Sequence, residues 1–144
     1  MKQYIGTKLI EAEPAERYGR EGYKVLYPDG YESWSPKDVF EKAYLPLTIN
    51  GNLRTNAPSI SQEMVDDFIV EVFAETMGDK CTVVRAVLRN GFEVVESSAC
   101  VSAENYDENL GGEICMEKIR DKVWLLLGFL LQTAVRGVGH ERGC

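Results

Sequence analysis

Residues 82–101 read TVVRAVLRNGFEVVESSACV, two apolar-rich runs on either side of Arg89-Asn90-Gly91-Phe92. An Asn-Gly pair between Val- and Leu-rich runs is a strong hairpin signal, because both central residues of a type I′ turn take positive φ. The stretch therefore predicts a β-hairpin closed by that turn. It also gathers Arg85, Arg89, Asn90 and Phe92: cationic heads, an amide and an aromatic face. In a regular strand Arg85 and Arg89 share a face, about 13 Å apart. Such a set suits a nucleotide-like anion, with arginine forks for phosphate and a ring for base stacking.

Toward the N-terminus, Tyr4-Ile5 and Lys8 to Ile10 read as a short extended opening, and Pro14 to Gly22 is polar and turn-rich. Tyr23 to Tyr27 and Tyr31 to Trp34 read as strands around the turn Pro28-Asp29-Gly30, with Tyr31 and Trp34 assigned to packing. Ser35-Pro36 supplies an N-cap and a first-turn proline for a helix over Lys37 to Ala43, which places Val39, Phe40 and Ala43 on the hairpin. Leu45 to Pro58 has no period and reads as a connector carrying Arg54, either solvated or reaching a neighbouring protomer. Ser59 and Gln62 have capping-box spacing ahead of a helix through Met64, Val65 and Phe68. The β-prone Ile69 to Ala74 leaves the helix-to-strand boundary open.

Toward the C-terminus, Leu110, Ile114, Ile119, Val123, Leu127, Leu130 and Ala134 trace one stripe of a long helix, with Gly111-Gly112 as its natural point of interruption. Val123 to Leu131 is apolar on every side and needs more than one packing partner, which points to oligomerisation. Gly128 costs that helix about 1 kcal/mol relative to Ala, a cost often offset by close backbone approach. Arg120 has an ordinary role in an ion pair with Glu117 or Asp121. The expected architecture is α+β, a small antiparallel sheet followed by C-terminal helices. It is read as one domain over 1–144, divided into a hairpin and short helix (1–44), a central hairpin plus long helix (59–136) and a tail (137–144).

A formal charge of −7 over 144 residues argues against binding to nucleic acid polymers, so an anionic ligand must be small and held by local cations. Cys81, Cys100, Cys115 and Cys144 show no CxxC pairing, and His140 is the sole imidazole. Zinc and a Ser/His/Asp triad are therefore disfavoured, and the thiols read as small apolar groups plus one terminal thiol. The adjacent carboxylates Asp66-Asp67 and Asp107-Glu108 cannot face each other on a helix, and no phosphate-loop spacing is present. With no leader-like segment and an apolar run far below the roughly 20 residues of a membrane span, the expectation is a cytoplasmic, reduced, non-enzymatic protein without cofactor.

Two blocks of sequence carry a resemblance. Tyr4-Ile5-Gly6-Thr7-Lys8, the Gly-Tyr-Lys-Val-Leu-Tyr run at 22–27 and Tyr-Glu-Ser-Trp-Ser-Pro-Lys-Asp-Val-Phe-Glu at 31–41 look like the opening module of many small phage proteins. Asn-Gly-Phe at 90–92, Ser-Ser-Ala-Cys-Val at 97–101, Glu-Asn-Tyr-Asp at 104–107 and Ile-Arg-Asp-Lys-Val-Trp at 119–124 resemble a widespread phage domain. Together they are similar to the Thoeris anti-defence protein 1 family. The resemblance implies protomers joined through their C-terminal helices, as a dimer or dimer-based hexamer. It also implies pockets between protomers that capture glycocyclic ADP-ribose, the signal made by bacterial TIR-domain enzymes. Some relatives also capture cyclic trinucleotides at separate sites.

On that basis Asn90 and Phe92, within the most recognisable signature, are the first candidate ligand contacts, and chemistry adds Arg54, Arg85, Arg89 and Arg120. The chain lacks the insertion that many relatives have before the Tyr-rich strand at Gly22. The expected function is a phage sponge that sequesters a cyclic adenine nucleotide without cleaving it. Its alternatives are a sponge for cyclic trinucleotides and a phage protein that binds a host protein.

Overall fold

Pro28-Asp29-Gly30 and Arg89-Asn90-Gly91 close two hairpins with one turn geometry. Gly30 N donates to Tyr27 O (2.9 Å) and Tyr27 N to Tyr31 O (2.9 Å); Gly91 N donates to Leu88 O (2.8 Å) and Leu88 N to Phe92 O (2.8 Å). Only the glycines are left-handed, Gly30 at φ 89° and Gly91 at φ 86°. Each loop is thus three residues long, a turn followed by a left-handed glycine, and the expected type I′ turn at Asn90-Gly91 is corrected. Pairing resumes at Leu88 and Phe92, which leaves one residue too many for a two-residue loop. The second loop residue locks each turn: Asp29 Oδ1 accepts from Tyr31 N and Asn90 Oδ1 from Phe92 N, both at 3.0 Å.

The structure, a computed structural model, describes residues 1–48, 50–51 and 53–139. It divides into two compact units, Met1–Leu47 with the chain from Phe129 onward, and Thr48–Gly128. Sheet and helix coexist in an α+β architecture with two three-stranded antiparallel sheets.

In the first unit the strands β1 (Glu11–Pro14), β2 (Gly22–Leu26) and β3 (Glu32–Pro36) pair in sequence order. The ladder starts at Glu11, after the expected opening at Tyr4 to Ile10, which forms no strand. Trp34 on β3 donates from Nε1 to Ala15 O (2.8 Å), and its ring covers Gly22, where a Cβ would fall 2.6 Å from Cε2. Helix α1 (Lys37–Ala43) forms where predicted, but Ser35 stays in β3 and Pro36 is the cap residue without a side-chain bond. Phe40 stacks on Tyr23 at 4.1 Å and Tyr44 on Phe40 at 4.9 Å. Tyr23 donates its hydroxyl to Glu41 Oε1 (3.0 Å), which raises the phenol's pKa.

The second unit contains α2 (Gln62–Phe68), β4 (Ile69–Met77), β5 (Cys81–Leu88), β6 (Glu93–Ala99) and, after a short 3₁₀ turn, the start of α3 (Glu108–Arg136). Ser61, and not Ser59, caps α2, accepting from Met64 N at 3.2 Å. Asn50 Nδ2 on Ile60 O (3.1 Å) and a Thr48–Ser61 hydroxyl bond hold that cap. The open boundary falls at Phe68, with a bulge between Ile69 and Glu71. Strand β5 turns Thr82, Val84, Ala86 and Leu88 into the core and leaves Val83, Arg85 and Val87 on the outer face.

Helix α3 runs through Gly111-Gly112 without interruption. Its buried line is Cys115, Ile119, Val123 and Leu127, spaced by four. Leu110 and Ile114, expected on that line, are 55% and 40% exposed. Gly111 takes the place of the first contact, and a Cβ there would fall 2.9 Å from Thr82 Cβ. Close approach thus occurs at Gly111, whereas a Cβ on Gly128 would meet nothing within 4 Å. Gly137, at φ 79°, ends the helix by donating to Thr133 O (2.7 Å). The tail readings that involve His140 and Cys144 lie outside the described residues.

Candidate functional site

Strand alternation puts Arg85 on the outer face of the second sheet, in register with Phe73 on β4 and Val95 on β6. Its guanidinium lies 4.5 Å from the Phe73 ring centroid and pairs with Glu93. Arg89 begins the β5–β6 loop, beyond the end of the strand, so the spacing that would align it with Arg85 no longer applies. Its backbone N–H donates to Phe68 O (2.8 Å), which ties the loop to the end of α2. Asn90 uses its side-chain oxygen in the turn, and its NH₂ group has no partner among the described residues. Phe92, whose place beside a turn glycine is compatible with core packing, is 58% exposed.

Arg120 projects from α3 toward α2. Its Nε lies 3.6 Å from Asp66 Oδ1, so the pair expected with Glu117 or Asp121 is corrected to one across two helices. Asp66 also accepts from Gln62 Nε2 (3.2 Å). Gln62, Asp66, Ile69, Met116 and Arg120 line an open groove of about 580 Å³. Arg54 sits in the exposed 53–57 stretch. Among the described residues, neither Arg54 nor Arg89 has an ion-pair partner.

The fold therefore brings Arg89, Asn90 and Phe92 together on one loop and sends the other candidates elsewhere. Arg85 and Arg120 are each paired with a carboxylate.

The family model of the phage protein (N4 Gp49/phage Sf6 gene 66) family matches residues 60–135, just over half of the chain. The chain belongs to this phage protein family. No curated protein and no solved structure gives a match. The matched span of this phage protein runs from the approach to α2 almost to the end of α3, and it contains Arg85, Arg89, Asn90, Phe92 and Arg120. Arg54 and the first sheet lie outside it.

Within the family segment, two polar clusters that the sequence did not reveal fix α3 on the second sheet. Tyr106 Oη bonds both Thr76 Oγ1 (2.7 Å) and Thr82 Oγ1 (2.8 Å), and Thr76 also donates to Glu108 Oε2 (2.9 Å). This seats the start of α3 on the sheet. On the opposite flank Lys122 pairs with Glu96, and Lys118 donates to Ser97 O (3.0 Å). The Glu96 carboxyl is held below its usual range, first by the bond from Lys122. These partners lie far apart in sequence, and no local spacing announces them.

Cys115 is fully buried and donates to Thr82 O (3.8 Å), and burial pushes its thiol pKa up, away from nucleophilic character. Among the described residues, no three His, Cys, Asp or Glu side chains group to hold a metal ion. No described helix is long and apolar enough to cross a membrane.

Proposed function

We propose that this phage protein is an anti-defence sponge that binds glycocyclic ADP-ribose and withholds it from its host effector without cleaving it. The reading takes its ligand from the resemblance to the Thoeris anti-defence protein 1 family. One structural observation carries it: four successive residues, 89–92, offer a guanidinium with no ion-pair partner among the described residues, a side-chain NH₂ and a half-exposed phenyl ring, on a turn closed by its own backbone bonds. A base stacked on Phe92 contributes about 1–3 kcal/mol, and Arg89 meets a phosphate as a charge-assisted pair.

The loop alone is open, and sequestration of a scarce signal requires roughly nanomolar affinity, about −12 kcal/mol. A second copy of the chain supplies the enclosure. Leu125 and Phe129 on α3, 72% and 74% exposed, are the apolar surface offered for that association. The oligomer is proposed as a dimer or an assembly of dimers, acting inside the infected cell. Sequestration needs no nucleophile, metal or cofactor.

Calorimetric titration of the purified chain against glycocyclic ADP-ribose isomers and cyclic trinucleotides tests the proposal. We expect saturable binding of the former and recovery of the ligand chemically intact after heat denaturation. Recovery of a linearised product argues for a hydrolase instead. Absence of binding across the panel favours a host-protein partner.

A further inference from the structure

The first unit carries a cleft that the proposed sponge does not use. Lys8, Tyr27, Pro28, Asp29 and Tyr31 line a depression of about 460 Å³ beside the left-handed turn at Gly30. Tyr27 and Tyr31 stack at 5.8 Å with an interplanar angle of 25°, and the Lys8 ammonium lies 4.4 Å from the Tyr27 ring centroid. Ser33 Oγ donates to the Tyr27 hydroxyl (3.3 Å), which anchors that ring from behind. Tyr31, expected to be a packing residue, is instead 65% exposed.

Charge decides what such a cleft favours. The chain carries −7 overall, yet Lys8 has no carboxylate partner among the described residues. Asp29, the carboxylate that lines the cleft, accepts the N–H of Tyr31 at Oδ1 and forms no ion pair with Lys8. That same bond fixes the backbone from which Tyr31 projects. A cation with no ion-pair partner among the described residues, next to a ring pair held in place by the turn, is a two-part receptor for an anion and a flat π surface.

We propose that this cleft binds a planar heteroaromatic ring bearing a phosphate, the chemistry of a nucleotide, with the ring on Tyr31 and the phosphate at Lys8. The site shares no residue with the β5–β6 loop and lies outside the family segment. Its ligand is either a free mononucleotide or the phosphorylated end of a single strand.

The test is a titration of the isotope-labelled full-length protein, followed by backbone amide shifts, with adenosine 5′-monophosphate, adenosine and inorganic phosphate as probes. Adenosine 5′-monophosphate is expected to give saturable shifts at Lys8, Tyr27, Gly30 and Tyr31, with a dissociation constant of about 0.1–1 mM, and adenosine to bind about three- to tenfold more weakly. Lys8→Gln is expected to erase that difference, Tyr31→Ala to abolish saturation and Tyr31→Phe to preserve it. Phe92→Ala is expected to leave all of these shifts unchanged, which separates the cleft from the proposed sponge site. A phosphorylated oligothymidine that binds more tightly than thymidine 5′-monophosphate supports the cleft with a strand end as its ligand, and the reverse order supports it with free nucleotides. Shifts that fail to saturate, equal affinity for adenosine and its monophosphate, or loss of the shifts in Phe92→Ala would overturn the proposal.

Discussion

Thr82 occupies the space that a side chain at residue 111 would need. A Cβ on Gly111 falls 2.9 Å from Thr82 Cβ and closer still to its hydroxyl oxygen. Thr82 is fully buried and bonded to Tyr106, so it has nowhere to move. Gly111→Ala gains about 1 kcal/mol of helix propensity but forces α3 off the sheet, and we expect a net loss of about 2–4 kcal/mol in urea unfolding. Adding Thr82→Ala relieves the clash, so the double variant should lose less than the sum of the two single changes. Strict additivity would show that the contact is not formed.

Gly128 makes the opposite case on the same helix. With nothing within 4 Å of a Cβ there, Gly128→Ala should stabilise the protein by about 0.5–1 kcal/mol, read as a higher urea midpoint. A destabilised variant would reveal a neighbour at that position.

The Glu96–Lys122 pair sets an acid limit. The native carboxyl pKa is lowered, so the pair's contribution is complete above the ordinary Glu value of 4.5 and fades as pH falls through the lowered native value. Melting temperatures measured from neutral pH downward should therefore fall more steeply below that value for the native chain than for Lys122→Met. Parallel profiles would remove Glu96 from the account.

At the proposed sponge site, Phe92→Ala and Arg89→Gln should each weaken binding of the cyclic nucleotide by about 10- to 100-fold in calorimetry. Because the ring is 58% exposed, stability should change by no more than about 0.5 kcal/mol. Unchanged affinity in both variants would move the site away from the loop.

Association through α3 is tested by Phe129→Glu, which places a charge on a side chain 74% exposed in the single chain. Light scattering should report a lower mass for this variant than for the native protein, together with weaker ligand capture. A native protein that is already monomeric would remove the enclosing role of the second copy.

The hairpins and α3 were legible because Pro-Asp-Gly, Asn-Gly and a sustained helical period are local signals. The turn type was not, since it depends on whether Leu88 pairs with Phe92, a cross-strand choice the loop residues do not encode. The reading of α3 held at Ile119, Val123 and Leu127 but failed over its first turns for a related reason. Leu110 and Ile114 look like the start of a buried stripe, but a glycine fits closest to the sheet, and glycine carries no hydrophobic signal. At the candidate site, the local cluster Arg89-Asn90-Phe92 survived folding. Arg85 and Arg120 acquired the carboxylate partners Glu93 and Asp66, and the Arg120–Asp66 contact depends on how the two helices pack.

The Asn90-Gly91 loop also carries a slow chemical clock. The small glycine lets its backbone nitrogen reach the Asn90 side-chain carbonyl whenever the Gly91 N–H bond to Leu88 O opens, so ageing of the protein should slowly convert Asn90, with loss of ammonia, to aspartate and isoaspartate through a cyclic imide. The aspartate product has the same residue type that already performs this task at Asp29, so the hairpin should survive with one more negative charge beside Arg89. The isoaspartate product lengthens the main chain within the turn and should disturb Phe92. Stored samples would then lose ligand affinity while their melting temperature barely changes, and peptide mapping would place the altered residue at position 90.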